Sequence, residues 1–257
     1  MRFSVLGSGS RGNALFIESG QTAILIDSGF SGKETAARLT RIGRDIDSLD
    51  AIFVTHEHHD HISGVGVLSR RCQIPVFANE GTFLGGAKTL SKLSQRCEFQ
   101  TGDSVDFKDL QIRSFSVSHD TGDPVGFVVG NGAHSIGCCT DTGIASRMIG
   151  QRLNGCDALV LEFNHDPEML KNGPYPQSLK QRVRSSHGHL SNGDAADLLQ
   201  NIVHQNVQRI VLAHLSETNN LPEIAYREAA KVLNGRLELS ALEIAGQNHP
   251  TSLFEIS

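Results

Sequence analysis

The chain has no tryptophan, two tyrosines, seven prolines and five cysteines in 257 residues. The cysteines, at positions 72, 97, 138, 139 and 156, are odd in number and form no C-x-x-C pair, so they read as buried thiols of a reducing compartment rather than as a disulfide framework. No apolar run approaches the ~20 residues of a membrane helix. The opening MRFSVLGSGS has one basic residue and only a short apolar stretch, so it is not expected to be a secretory leader. Basic residues are in deficit, 23 against 28 acidic, and the net charge of −5 disfavours a protein that coats nucleic acid generally. With 39% apolar and 20% charged residues, disorder, collagen-like repeats and coiled coil are also set aside. A cytoplasmic protein without a membrane segment is expected. What the chain does have in excess is histidine, twelve in all and unevenly placed.

Short apolar runs bounded by Gly, Asn or Asp predict strands at residues 3–6, 14–18, 23–26 and 51–54, with a polar helix over 33–42. Residues 77–93 read as partly helical, and further strands are expected at 111–117, 126–129, 135–139 and 158–163. Ser191, three before Asp194, predicts a capped helix whose apolar stripe is Leu198, Leu199, Ile202 and Val203. A strand at 209–213 follows, then a helix from Pro222 that stops at Asn234-Gly235. The absence of a Pro-rich or charged linker predicts one domain over residues 1–257, with two sheets face to face and helices outside. The least regular segment, 166–190, is expected to be a functional loop with a short helix.

Directly after the strand at 51–54 stands Thr55-His56-Glu57-His58-His59-Asp60-His61. In an extended loop His56 and His58 point the same way, while a turn into helix would carry Asp60 and His61 to a second position nearby. Two imidazoles plus a separate carboxylate–imidazole pair suit two adjacent cations. Zinc fits this nitrogen-rich set best, and manganese or iron also accept it. Further donors stand just past other apolar strands: His119, Asp141 and His214. A single carboxylate such as Asp141 can bridge both ions. A lone histidine is ordinarily a solvated or core residue, but H-x-H-x-D-H with matching partners downstream is a strong signal. His59 alternates away from His58 and is set aside.

This pattern, with Asp27 upstream, resembles the metallo-β-lactamase superfamily over essentially the whole chain. The resemblance implies a four-layer αββα sandwich of the α/β (α+β) class with a two-metal site at one sheet edge. It places His56, His58 and His119 on the first metal, Asp60, His61 and His214 on the second, Asp141 between them, and Asp27 as a support for the ligands. Di-iron oxygen- or nitric-oxide-reducing members carry Glu where this chain has His58, so a hydrolase is implied. Leu161-Glu162-Phe163-Asn164-His165 and Ser186-His187-Gly188-His189-Leu190-Ser191-Asn192 are similar to two loops of ribonuclease Z-type phosphodiesterases that move protons. Together with S-G-S-x-G-N near the start and L-A-H-L-S at His214, they most resemble the YycJ-like subfamily, which is linked to DNA exonuclease activity. Arg11 departs from the small residue expected in the first loop. The long insert of ribonuclease J is absent.

The resemblance thus implies a dinuclear-metal DNA exonuclease directed at the 5′ end, with Asp60, His189 and Glu162 catalytic. Two cations ~3.5–4 Å apart lower the pKa of a shared water so that hydroxide exists near neutral pH. From Lys171 to His189 the chain carries Lys171, Lys180, Arg182 and Arg184, Tyr175 and no acidic residue, which reads as a phosphate-backbone strip or as an ordinary solvated helix face. Lys180 and Arg184, four apart, would share one helical face. Ser10, Arg11, Lys180, Arg184, Ser191 and His165 are the candidate substrate-binding residues. A hydrolase of cyclic phosphodiesters, thioesters or lactones using the same metals is the rival expectation, and a catalytically silent metal-binding scaffold is a third.

Overall fold

The computed structural model describes residues 1–233, 235, 238 and 241–257. Among the described residues, fourteen strands form two sheets of seven. In chain order the first sheet takes β1 (Arg2–Gly7), β2 (Ala14–Ser19), β3 (Thr22–Ile26), β4 (Ala51–Phe53), β5 (Pro75–Ala78) and β6 (Gln95–Glu98). The second takes β7 (Ser104–Phe107), β8 (Leu110–Ser116), β9 (Val125–Gly130), β10 (Ser135–Cys139), β11 (Ala158–Glu162), β12 (Arg209–Ala213) and β13 (Leu242–Ile244). A final β14 (Phe254–Glu255) returns to pair with β1. Each sheet starts as an antiparallel meander and continues with parallel strands, β3 to β6 in one and β10 to β13 in the other.

The parallel strands β3, β11 and β12 are buried almost throughout, because helices cover one face and the other sheet the opposite one, so their sequences are continuous apolar runs. Between the sheets lies a core of Phe3, Val5, Ile17, Ile24, Phe53, Phe127, Val160 and Val211. Outside the first sheet, α1 (Gly32–Arg41), α3 (Val65–Cys72) and α4 (Glu80–Gly85) cover Leu6, Phe16, Leu25 and Ile52. Outside the second, α5 (Arg147–Leu153), α8 (Asn192–Ile202) and α9 (Pro222–Leu233) cover Leu159, Leu161, Ile210 and Leu212. This is the αββα sandwich. The remaining helices, α2 (His59–Ile62), α6 (Pro167–Asn172) and α7 (Gln177–Val183), lie in loops.

Expected elements lie within a residue or two of the observed ones, from β1 to α8, and Ser191 caps α8 by accepting from the Asp194 N–H. Residues 77–93 hold the end of β5 and the short α4 rather than a longer helix. Asn234, the expected stop of α9, lies outside the described residues. The segment 166–190 contains two short helices, α6 and α7, not one. Strands β6, β7 and β14 were not expected because each has four residues or fewer and lies at or next to a sheet edge, too short to show a period.

Candidate metal centre and cleft

Strands β1, β3 and β4 of the first sheet run parallel to one another, as do β8, β10, β11 and β12 of the second. Residues just past their carboxyl ends therefore meet along one edge. Three of those residues, Asp27, Asp141 and His214, hold left-handed backbone at φ 62°, 57° and 56°. A non-glycine residue pays on the order of 1 kcal/mol or more for that conformation, and here each such residue turns its side chain to the shared edge.

After β4 the chain runs extended through His56 and His58, and α2 then carries Asp60 and His61 to the other side of the cluster. The backbone of this turn is packed against the loop 27–30 and against Asn13. The Ser28 N–H donates to the His61 carbonyl at 2.8 Å and the Asn13 N–H to the Asp60 carbonyl at 2.8 Å. A Cβ at Gly29 would lie 1.6 Å from the Asp60 carbonyl oxygen, so only glycine permits this approach.

The side chains form a buried network. Asp27 accepts from the Thr55 N–H and hydroxyl and from His61 Nδ1, each at 2.8 Å. With its one proton spent on Asp27, the Thr55 hydroxyl accepts from His56 Nδ1 at 2.9 Å. His119 Nδ1 donates to the Gly188 carbonyl at 3.0 Å. These bonds fix the ring orientations and leave the Nε2 atoms of His56, His61 and His119 facing the cluster. Asn13 Nδ2 lies 3.1 Å from Asp60 Oδ2 and 3.0 Å from His61 Nε2. Ser8 completes the brace, accepting from the His214 N–H at 2.8 Å and donating to Asn13 Oδ1 at 3.0 Å.

Two donor sets result. The donor atoms of His56, His58 and His119 lie within 4.8 Å of one another, as do those of Asp60, His61 and His214. Asp141 sits between them, with Oδ1 3.8 Å from His119 Nε2 and 3.4 Å from His214 Nε2, and Oδ2 3.4 Å from His61 Nε2. His59 is exposed, outside the cluster.

Charges follow from these contacts. Burial alone would raise the Asp60 carboxyl, but hydrogen bonding to His214 and the charge of His61 hold it far below the usual range. Asp141 behaves likewise, with His214, His61 and His119 outweighing burial. Burial lowers the His61 imidazole, yet Asp141 and Asp27 overcome this and raise it to about 9. Burial drives His56 well down, helped by the neighbouring imidazoles.

Glu162 ends β11 and is fully buried. Its Oε1 accepts from His189 Nδ1 at 2.7 Å and lies 3.3 Å from His214 Nδ1, and its Oε2 accepts from the Leu190 and Thr142 N–H groups. Against burial, His189 and His214 hold this carboxyl far below its ordinary pKa. It is therefore an ionised group joining a candidate ligand to a candidate proton donor.

Beside the cluster opens a cleft of about 180 Å³, whose floor includes His119, His189 and His214 and whose wall includes Tyr175, Leu179 and Arg182. Of the expected substrate-binding residues, Ser10 reaches this cleft. Arg11 pairs with Glu217 at 2.6 Å on the surface beside it. Lys180 donates to the Lys171 carbonyl at 2.7 Å, and neither it nor the exposed Arg184 lines the cleft. Ser191 is occupied as the cap of α8, and His165 is buried, its carbonyl accepting from the Asn192 N–H at 2.8 Å. The basic residue that reaches the cleft is Arg182, which donates to Asp120 Oδ2 at 2.6 Å. Asp120 Oδ1 lies 3.7 Å from His58 Nε2 and 3.6 Å from His119 Nε2.

Sequence reasoning gave no role to Asn13, Thr55 or Asp120. Asn13 closes the S-G-S-x-G-N loop, and Thr55 and Asp120 directly precede His56 and follow His119, so adjacency was the available signal.

A family model described as the beta-lactamase superfamily domain matches residues 22–215. "Exodeoxyribonuclease YycJ" of Bacillus anthracis is 40% identical over 235 residues, 91% of this chain and 89% of the relative. "Exodeoxyribonuclease WalJ" of Streptococcus pneumoniae is 40% identical over 229 residues, 88% of this chain and 85% of the relative. Among solved structures, the metallo-β-lactamase fold protein YhfI of Bacillus subtilis superposes with a TM-score of 0.73 at 17% identity, covering 97% of this chain and 98% of that one.

Proposed function

Given that the chain belongs to the beta-lactamase superfamily, we propose that it is a divalent-metal phosphodiesterase that removes nucleotides from the 5′ end of DNA. One arrangement carries this reading: two donor sets joined at Asp141, next to an imidazole held by a buried carboxylate, at the floor of a cleft with a cationic wall. The 40% identity to relatives named exodeoxyribonucleases supports DNA as the substrate.

The residues fit two metal ions. His56 Nε2, His214 Nε2 and Asp141 Oδ2 are buried polar atoms without a hydrogen-bond partner among the described residues, an arrangement that is costly unless a ligand satisfies them. The carboxylates of Asp60 and Asp141 are ionised at neutral pH, as ligands must be. His56, His58 and His119 would hold one ion and Asp60, His61 and His214 the other, with Asp141 shared. Imidazole with carboxylate favours zinc. Such ions activate water and offset charge on phosphate oxygens.

The chain's own groups do the rest. Asp27 and Thr55 lock His61 and His56 so that their Nε2 atoms stay aimed inward. Glu162 stabilises the imidazolium of His189, which hands a proton to the departing sugar oxygen, a contribution of roughly 10²–10⁴ in rate. Arg182 places a cation where the strand's phosphates enter, and its bond to Asp120 holds α7 against the cleft. Asp120 is kept ionised by Arg182, although burial opposes this. Cytoplasmic location is part of the proposal and is supported by five free cysteines. Among the described residues no helix is long and apolar enough to cross a membrane.

Zinc- or manganese-loaded protein incubated with 5′- and 3′-labelled linear DNA, closed circular DNA and RNA tests the reading. Early release of labelled mononucleotide from the 5′ end, with circular DNA intact, is expected. Cleavage of a thioester or cyclic nucleotide with every DNA left intact refutes it.

A further inference from the structure

The cleft wall holds a polar group that no other residue among those described satisfies. Asn219, in the loop after β12, lines the cleft and is 1% exposed, yet both Oδ1 and Nδ2 are buried without a hydrogen-bond partner. Its backbone is pinned on both sides. The N–H donates to Ser216 Oγ at 3.1 Å, and the carbonyl accepts from the Asp166 N–H at 2.9 Å. Gly173 makes room for the amide, since a Cβ there would lie 2.6 Å from Asn219 Oδ1. The neighbouring Asn220 shows what a structural amide does in this loop: Nδ2 donates to the Phe163 and Asn164 carbonyls and Oδ1 accepts from Asn192 Nδ2 and the Leu221 N–H. A buried amide left unpaired is unfavourable, and Asn219 borders a cleft far larger than a single water requires.

Tyr175 lines the same cleft, in a chain with two tyrosines and no tryptophan. We infer that Tyr175 and Asn219 form a pocket for the terminal nucleobase of the strand, the ring stacking on the base and the amide pairing with its edge. This rests on the nuclease reading above and gives that reading a device for recognising a strand end. The chemistry discriminates among occupants. A phosphate or carboxylate presents only acceptors and leaves Oδ1 unpaired, whereas a base edge offers donor and acceptor side by side. Aromatic stacking is tolerant of base identity, so Tyr175 contributes affinity for any base and Asn219 a preference among them.

Calorimetric titration of the metal-loaded protein with the four deoxynucleoside 5′-monophosphates and with deoxyribose 5-phosphate tests the pocket directly. At least one nucleotide is expected to bind about tenfold more tightly than the sugar phosphate, within the range that one stacked base supplies. Equal affinity overturns the inference. Asn219→Leu and Tyr175→Ala should each shrink that ratio at least threefold, and a ratio unchanged in both variants also overturns it. In cleavage assays with wild-type protein, a 5′-terminal abasic residue should raise KM about tenfold with kcat within about twofold. Equal KM for abasic and ordinary ends rejects the pocket while leaving the nuclease reading in place. Tight nucleotide binding without cleavage of any DNA supports the pocket and rejects the nuclease reading.

Discussion

Beneath the floor of the cleft, Asp27, His61, Asp141 and Glu162 are buried, and each lies in a web of bonds to backbone or to another site residue. On the wall, Arg182 stands exposed, Tyr175 is half-buried, and among the described residues the Arg182 side chain has the single partner Asp120 and the Asn219 side chain has none. The difference teaches where rigidity is placed. The floor crowds imidazoles against imidazoles and carboxylates against carboxylates, groups that would splay apart unless tethered from behind, so Asp27, Thr55, Asn13 and Ser8 tether them. The wall leaves bonding capacity open for what enters. Changes to the floor should therefore strike turnover, and changes to the wall should strike binding.

The sharpest break in this contrast comes from Asp141→Ala. It removes the carboxylate between the two donor sets, and hydrolysis of bis(p-nitrophenyl) phosphate should fall to background together with a drop in bound metal measured by mass spectrometry. Retained activity would place the chemistry elsewhere. Next in size is His189→Ala, expected to lower kcat by roughly 10²–10⁴ with little change in KM and in metal content.

His165 links floor and wall, because it follows Asn164 of the cleft and its carbonyl accepts from Asn192 of the capped helix. Burial lowers its pKa from about 6.5 to about 4. The unfolded chain therefore binds a proton between those values that the folded chain refuses. Stability contributed by the neutral ring is present above pH 6.5 and is lost as pH falls toward 4, by at most about 3 kcal/mol. Urea denaturation of wild type and His165→Asn across that window should show a steeper acid loss in the wild type. Parallel curves would mean that the ring is not shielded.

Asp27→Asn leaves every proposed ligand in place but weakens the grip on His61, and the expected cost is about 10–100-fold in metal affinity. The smallest effects belong to the wall. Arg182→Ala should raise KM for DNA several-fold, whereas Lys180→Ala, whose ammonium bonds the Lys171 carbonyl, should change it less than about twofold. A reversal of those two would return the phosphate strip to the opposite face of α7.

The same floor-and-wall division governs what was legible in the chain. The floor advertises itself by residue type. H-x-H-x-D-H after a buried strand, and single His or Asp residues past later strands, predicted the cluster that the sheets bring together. Its braces were silent, because a threonine or asparagine beside a ligand looks ordinary and because the left-handed backbone of Asp27, Asp141 and His214 has no glycine to announce it. The wall was misjudged for a geometric reason. Spacing says that Lys180 and Arg184 share a helical face, but not which face meets the cleft. Leu179 and Val183 turn their apolar stripe inward and carry Arg182 with them, so Lys180 and Arg184 lie away from the cleft. At the level of the fold, doubly covered strands such as β11 and β12 were plain as apolar runs, while a solvated edge strand such as β6 carries too few apolar residues to show a pattern.

The most direct test titrates chelator-treated protein with zinc or manganese while following release of nucleotide from 5′-labelled DNA. Two donor sets sharing Asp141 predict no release without metal and a rise that levels off at two equivalents per chain. Undiminished release from metal-free protein, or saturation at one equivalent, would contradict a paired centre.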